Sequence, residues 1–99
     1  MKIILSPIAS TYTTKVSVNG LVITVDGQPI DLSVIPEGGY AEPDEGSPFV
    51  GNVTSAEVTI KYHYESMKAV PDQSSNIEDY TFEVTEGEVP CPIVWKEGA

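Results

Sequence analysis

The segment TKVSVNGLVITVDGQPIDL, Thr14 to Leu32, carries two short turn signals inside a run of alternating apolar residues. Asn19-Gly20 and Asp26-Gly27 are both dipeptides favoured in type I′ hairpin turns, where the two central residues need positive φ. Pairing outward from the first turn sets Val18 opposite Leu21 and Val16 opposite Ile23. The second turn sets Val25 opposite Gln28, Ile23 opposite Ile30 and Leu21 opposite Leu32. Both turns place Val16, Val18, Leu21, Ile23, Ile30 and Leu32 on one face, so the segment is predicted to be a three-stranded meander with that face buried. Pro29 falls opposite Thr24 at a non-hydrogen-bonded pair, where its missing N–H costs the ladder nothing.

The rest of the chain reads in the same way. MKIILSPIAS is a first strand: its apolar run is broken by Ser6 and Pro7 before a signal-peptide core could develop. In AEVTIKYHYE, Val58, Ile60, Tyr62 and Tyr64 alternate with Glu57, Thr59, Lys61, His63 and Glu65, the pattern of a half-buried antiparallel strand. SMKAVPDQSSNIED, 66 to 79, is a polar connection with room for a short helical turn. YTFEVTEGEVPCPIVWK puts Tyr80, Phe82 and Val84 on one face and has a turn signal at Glu86-Gly87. A tight hairpin there would set Pro90 and Pro92 at hydrogen-bonded pairs. The tail is therefore expected to run extended along an edge, with Val89, Cys91, Ile93 and Trp95 facing the core. No window has a helical stripe. The expected fold is an all-β single domain over residues 1–99, a small antiparallel sandwich or barrel of about seven strands with an N-terminal three-stranded meander.

Composition narrows the function classes. Fifteen Asp and Glu against five Lys give a net charge of −10, which disfavours nucleic acid and anionic lipid as partners. No apolar run approaches the roughly 20 residues of a membrane span. One cysteine, Cys91, cannot make an internal disulfide, and a reducing cytoplasm fits. Between Pro90 and Pro92, with no histidine or second cysteine close in sequence, it reads as a small core residue. His63 is the only histidine and sits on the polar face of its strand, an ordinary surface position that offers no triad. Glu37, Glu42, Asp44 and Glu45 lack the spacing of a calcium loop, and no Gly-rich phosphate loop is present. No catalytic residue, cofactor or metal is expected.

One stretch breaks the β pattern. PEGGYAEPDEGSP, Pro36 to Pro48, has three prolines, three glycines and four acids around a single aromatic, Tyr40. Such a composition buries too little apolar surface to offset ordering costs of about 1 to 2 kcal/mol per residue, so a mobile loop is expected. Connections beyond about 12 residues are uncommon in compact domains unless they are functional or disordered. Tyr40, Glu42, Asp44 and Glu45 are therefore the candidate partner-binding residues, an aromatic anchor with acids that steer towards a basic surface.

The order VSVNGLVITVDGQPIDLSVIPEG, PFVGNV, an alternating strand, then FEVTEGEVPCP resembles small uncharacterised proteins encoded in the tail region of temperate bacteriophages and prophages. Pro36-Glu37-Gly38, Phe49 with Gly51 and Val53, and Val84 to Glu86 with Val89 and Pro90 stand where that family has "LPEG"-like, "WFAGDV"-like and "VTEDG-V-LP"-like segments. The chain departs from it in its longer acidic loop and its 66 to 79 connection. The resemblance implies a non-enzymatic accessory or assembly protein, bound to a tail or baseplate protein or to itself. It implies the bacterial host cytoplasm during assembly, with the virion tail as a further location. The competing class is a carbohydrate-binding or hydrolytic β-module that uses surface carboxylates and aromatics.

Overall fold

The computed structural model describes residues 1–43 and 46–96. Among these, seven strands form two sheets: β1 (Lys2–Ser10), β2 (Val16–Asn19), β3 (Val22–Val25), β4 (Gln28–Asp31), β5 (Glu57–Glu65), β6 (Thr81–Glu83) and β7 (Glu86–Glu88). One sheet has the order β5-β1-β6, the other β4-β3-β2-β7. The protein is all-β, and its strands do not close into a barrel.

The predicted meander is β2-β3-β4. Its second turn is as expected: Asp26 and Gly27 have φ of 50° and 84°, and Val25 pairs with Gln28, Thr24 with Pro29 and Ile23 with Ile30. The first turn is displaced by one residue. Gly20, at φ 62°, is the first central residue and Leu21 the second, so Asn19 pairs with Val22 and Val18 with Ile23. A glycine in the first central position suits a type II′ turn as well as Asn-Gly suits type I′. The displacement moves each partner by two residues, which is one full side-chain period, so the faces are preserved. Val16, Val18, Ile23, Val25 and Leu32 are buried as a set. Ile30 packs partly buried against them. Leu21 is the exception: carried into the turn, it is 42% exposed.

The direction of β5 corrects a second expectation. It runs parallel to β1 over nine residue pairs, from Lys2 with Glu57 to Ser10 with Glu65. Ile3, Leu5, Val58, Ile60 and Tyr62 bury one face of this pair. On the other side of β5, residues 48–50 add a short ribbon: Lys61 N–H donates to the Pro48 carbonyl at 2.7 Å and Val50 N–H to that of Thr59 at 2.8 Å.

Glu86 and Gly87 belong to a strand, not to a turn. After β6 pairs with β1, the chain passes to the second sheet, where Glu86, Gly87 and Glu88 pair with Asn19, Val18 and Ser17 of β2. Beyond it the tail is extended, as the two prolines require. Its bonds skip both: Val89 N–H donates to Val16 at 2.9 Å, Val94 N–H to the Gln73 side chain at 3.0 Å and Lys96 N–H to Lys68 at 2.8 Å. Gln73 also donates to the carbonyls of Val70 and Val94, which clamps the tail to the 66–79 connection. That connection ends in the expected helical turn, a 3₁₀ turn at Ile77–Tyr80 capped by Asn76. Ile93 is buried, but Cys91 is exposed, contrary to its reading as a core residue.

Two sheet borders each end on a proline. In β4 the narrow pairs with β3 fall at Gln28 and Ile30, so the backbone of Pro29 faces outward. In β1, Lys2 N–H donates towards the β5 side. The odd-numbered residues therefore face the other way, and β6 covers that side only from Lys2 to Ile4. Pro7 lies on the uncovered stretch. Each border thus lacks a donor where a further strand would pair.

Candidate functional site

Tyr40, the aromatic singled out in the acidic segment, is 62% exposed. Its backbone is nonetheless held from both sides. Gly39 N–H donates to the Pro36 carbonyl at 2.9 Å, closing a turn, and Ala41 exchanges two hydrogen bonds with Val53, at 2.8 and 2.9 Å. Residues 36–41 are therefore tied into the fold, where the composition of the segment predicts a free-hanging connection. The Ala41–Val53 bridge is a non-local pairing that turn and acid content cannot reveal. Glu37 and Glu42 are exposed beside Tyr40. Asp44 and Glu45 lie outside the described residues.

A second arrangement was missed in the sequence. A cleft of about 400 Å³ opens between the connection 12–14, the β3–β4 turn, residues 46–48 and the end of β5. Its wall is an aromatic pair: the rings of Tyr12 and His63 stack with centroids 5.1 Å apart and planes 26° from parallel. The Tyr12 hydroxyl and His63 Nδ1 also share a hydrogen bond of 3.0 Å. The backbone of His63 is tied twice to Thr14: its N–H donates to the threonine Oγ1 and its carbonyl accepts from the threonine N–H, both at 2.9 Å. Thr14 is 3% exposed and has these bonds in place of water. His63 is thus a half-buried, oriented ring and not the free surface residue expected. At the turn, Asp26 is locked by a reciprocal pair with Lys15: its N–H donates to the Lys15 carbonyl and its Oδ1 accepts the Lys15 N–H, both at 2.9 Å. Forty-nine residues separate Thr14 from His63, and no short spacing motif links them. The available signal was that a strand alternating towards solvent carries both Lys61 and His63.

A larger cleft, about 740 Å³, lies between β2, the tail at 88–91 and Tyr62. Burial raises the ionisation of the Tyr62 phenol well above its ordinary range, and the thiol of Cys91 beside it adds to the shift. Tyr80 is also raised, by burial first and then by the nearby Tyr64 and Asp79. Its hydroxyl donates to the Ser74 carbonyl at 2.6 Å. These two tyrosines are core groups with satisfied or shielded hydroxyls.

Among the described residues no three His, Cys, Asp or Glu side chains are grouped as metal ligands. Thermal melts in excess Ca²⁺ and in chelator are expected to coincide. A rise of several degrees with calcium would instead point to ligation by the acidic segment, since a ligand at 100 times its dissociation constant adds about 2.7 kcal/mol. No described helix is long and apolar enough to cross a membrane. In comparisons with known proteins, no family model, curated protein or solved structure matches this chain.

Proposed function

We propose that this is a non-enzymatic accessory or assembly protein of a phage tail module, acting through protein contacts made by the segment around Tyr40. The observation that carries the reading is the combination at Tyr40: a large ring left in solvent on a backbone anchored at Pro36–Gly39 and at Ala41–Val53. An aromatic presented on fixed backbone loses little freedom on docking, which is why such residues anchor interfaces. The exposed Glu37 and Glu42, and the net charge of −10, favour a basic partner surface. The phage setting rests on the sequence resemblance alone. In this reading the two sheets are the facing layers of a small sandwich and all 99 residues form one domain. The shared core supports it: Ile3 and Ile60 from one sheet and Val18 and Ile23 from the other belong to one buried cluster.

The test is pairwise binding to the tail and baseplate proteins encoded nearest to it, with sedimentation to detect self-association. Tyr40→Ser is expected to change stability by no more than about 0.5 kcal/mol, as exposed substitutions do. The same change should weaken the contact at least tenfold, as should neutralising Glu42, Asp44 and Glu45 together. A destabilisation of about 2 kcal/mol or more in Tyr40→Ser would make the ring part of the core and end this reading.

A further inference from the structure

We propose that the cleft beside the stacked Tyr12 and His63 rings is a binding site for a neutral sugar ring, separate from the Tyr40 contact. A pyranose offers two recognition surfaces at right angles. One face carries C–H groups that lie flat on an aromatic ring, and the equatorial hydroxyls project around the rim as adjacent donor–acceptor pairs. The cleft presents the counterpart of each.

Tyr12 is the plate. It is 46% exposed although one side of its ring is stacked on His63 and its hydroxyl is bonded to Nδ1. Its exposure therefore belongs to the remaining face and edge. The plate is braced, because His63 is itself fixed through Thr14. An aromatic surface that is rigid before a ligand arrives loses little entropy on binding.

The rim groups are Asp26, Gln28 and Ser47. Asp26 has Oδ1 occupied by the Lys15 N–H, which sets the carboxylate plane and leaves Oδ2 to accept. Gln28, two residues on across the turn, has a planar amide that both donates and accepts. The Ser47 oxygen accepts the Phe49 N–H at 3.1 Å, so its proton is left to donate. Planar bidentate groups of this kind match neighbouring hydroxyls of a sugar. The volume of about 400 Å³ falls within the usual range for small-molecule sites, roughly 300 to 1,000 Å³.

Charge narrows the ligand class further. The net charge of −10 works against phosphorylated or otherwise anionic ligands at long range, and the described lining, with one carboxylate in Asp26 and one ammonium in Lys61, has no cluster of cations to favour a nucleotide over a neutral glycoside. Among the described lining residues Asp26 alone supplies a carboxylate. Glycoside hydrolysis ordinarily uses two. The proposal is accordingly binding, with no bond broken.

The experiment is a set of NMR titrations of the ¹⁵N-labelled full chain with methyl glucoside, methyl galactoside, methyl mannoside, N-acetylglucosamine and maltotriose, with AMP as an anionic stacking control. At least one sugar should give saturable shifts with a dissociation constant on the order of 1 mM. The shifts should centre on residues 12–14, 25–28, 46–48 and 63. Tyr12→Ala should weaken binding tenfold or more, and Tyr12→Trp should retain it. Gln28→Ala, at an exposed position outside the core, should weaken it severalfold without altering the melt, which separates recognition from folding. Tyr40→Ser should bind sugar like the wild type, so failure here and failure of the tail-contact reading are distinguishable. The proposal is overturned if no sugar saturates, if the shifts centre on residues 36–42, if AMP binds more tightly than every sugar, or if Tyr12→Ala binds unchanged.

Discussion

Ile23→Ala is expected to destabilise the protein by about 2 to 5 kcal/mol, while Leu21→Ala, two residues earlier on the same strand side, should cost less than about 1 kcal/mol. Ile23 is 0% exposed and is paired on both sides, with Val18 of β2 and Ile30 of β4. A cavity at this central position is hemmed in by two ladders that cannot close over it, which puts the cost towards the upper part of the range. For a domain of this size each kcal/mol shifts the melting temperature by roughly 4 to 8 °C, so a fall of more than 10 °C is expected. Leu21 stands in the turn with 42% of its surface in water. The pair of variants also decides the register. If Asn19-Gly20 were the turn, Leu21 would stand opposite Val18 inside the sheet and the two substitutions would cost alike. Equal losses in chemical denaturation would refute the displaced turn.

The second large effect is alkaline. Tyr62 is 4% exposed, and its burial, reinforced by Cys91, raises its ionisation above the ordinary value of 10.0. The unfolded chain then releases the phenolic proton first as pH rises. Stability from this group is fully present below about pH 10 and is lost above it, because ionisation favours the unfolded state. The loss approaches about 1.4 kcal/mol per pH unit for one such group. Urea denaturation of the wild type and Tyr62→Phe between pH 8 and pH 12 should show a constant difference up to about pH 10. Above that the wild type should lose ground steadily to the variant. Tyr80, raised for the same principal reason, gives both proteins a shared alkaline slope. A difference that stays flat to pH 12 would mean that the Tyr62 hydroxyl ionises freely in the folded state.

The meander was legible because two turn dipeptides and one alternating run are local signals that agree. What they could not decide is whether Gly20 is the second residue of one turn or the first of another, since glycine satisfies both and the faces do not change. The direction of β5 was hidden for a related reason. Alternation records which side of a strand is dry and is silent about which way its neighbour runs, and here the neighbour is β1, with Leu5 paired to Ile60. The prolines of the tail correctly excluded a hairpin. The tail's actual partner depends on Gln73 bonding Val94 from both ends of its amide, which has no sequence signature. Tyr40 could be singled out because it interrupts a pattern. Tyr12 and His63 could not, because each looks ordinary in its own segment and the pair exists only after β1 and β5 have aligned.

The outward prolines at Pro7 and Pro29 bear on how this molecule can change over generations. A border that accepted another strand would tie association to the backbone, so that any partner able to extend would fit and no single substitution could tell one from another. With those two borders blunted, the contacts proposed for Tyr40 and Tyr12 would be left to side chains standing on a frame that need not alter. Tyr40 or Tyr12 can then be exchanged one at a time for a new contact while the two sheets stay as they are. The prolines make the fold a stable chassis on which binding is free to drift.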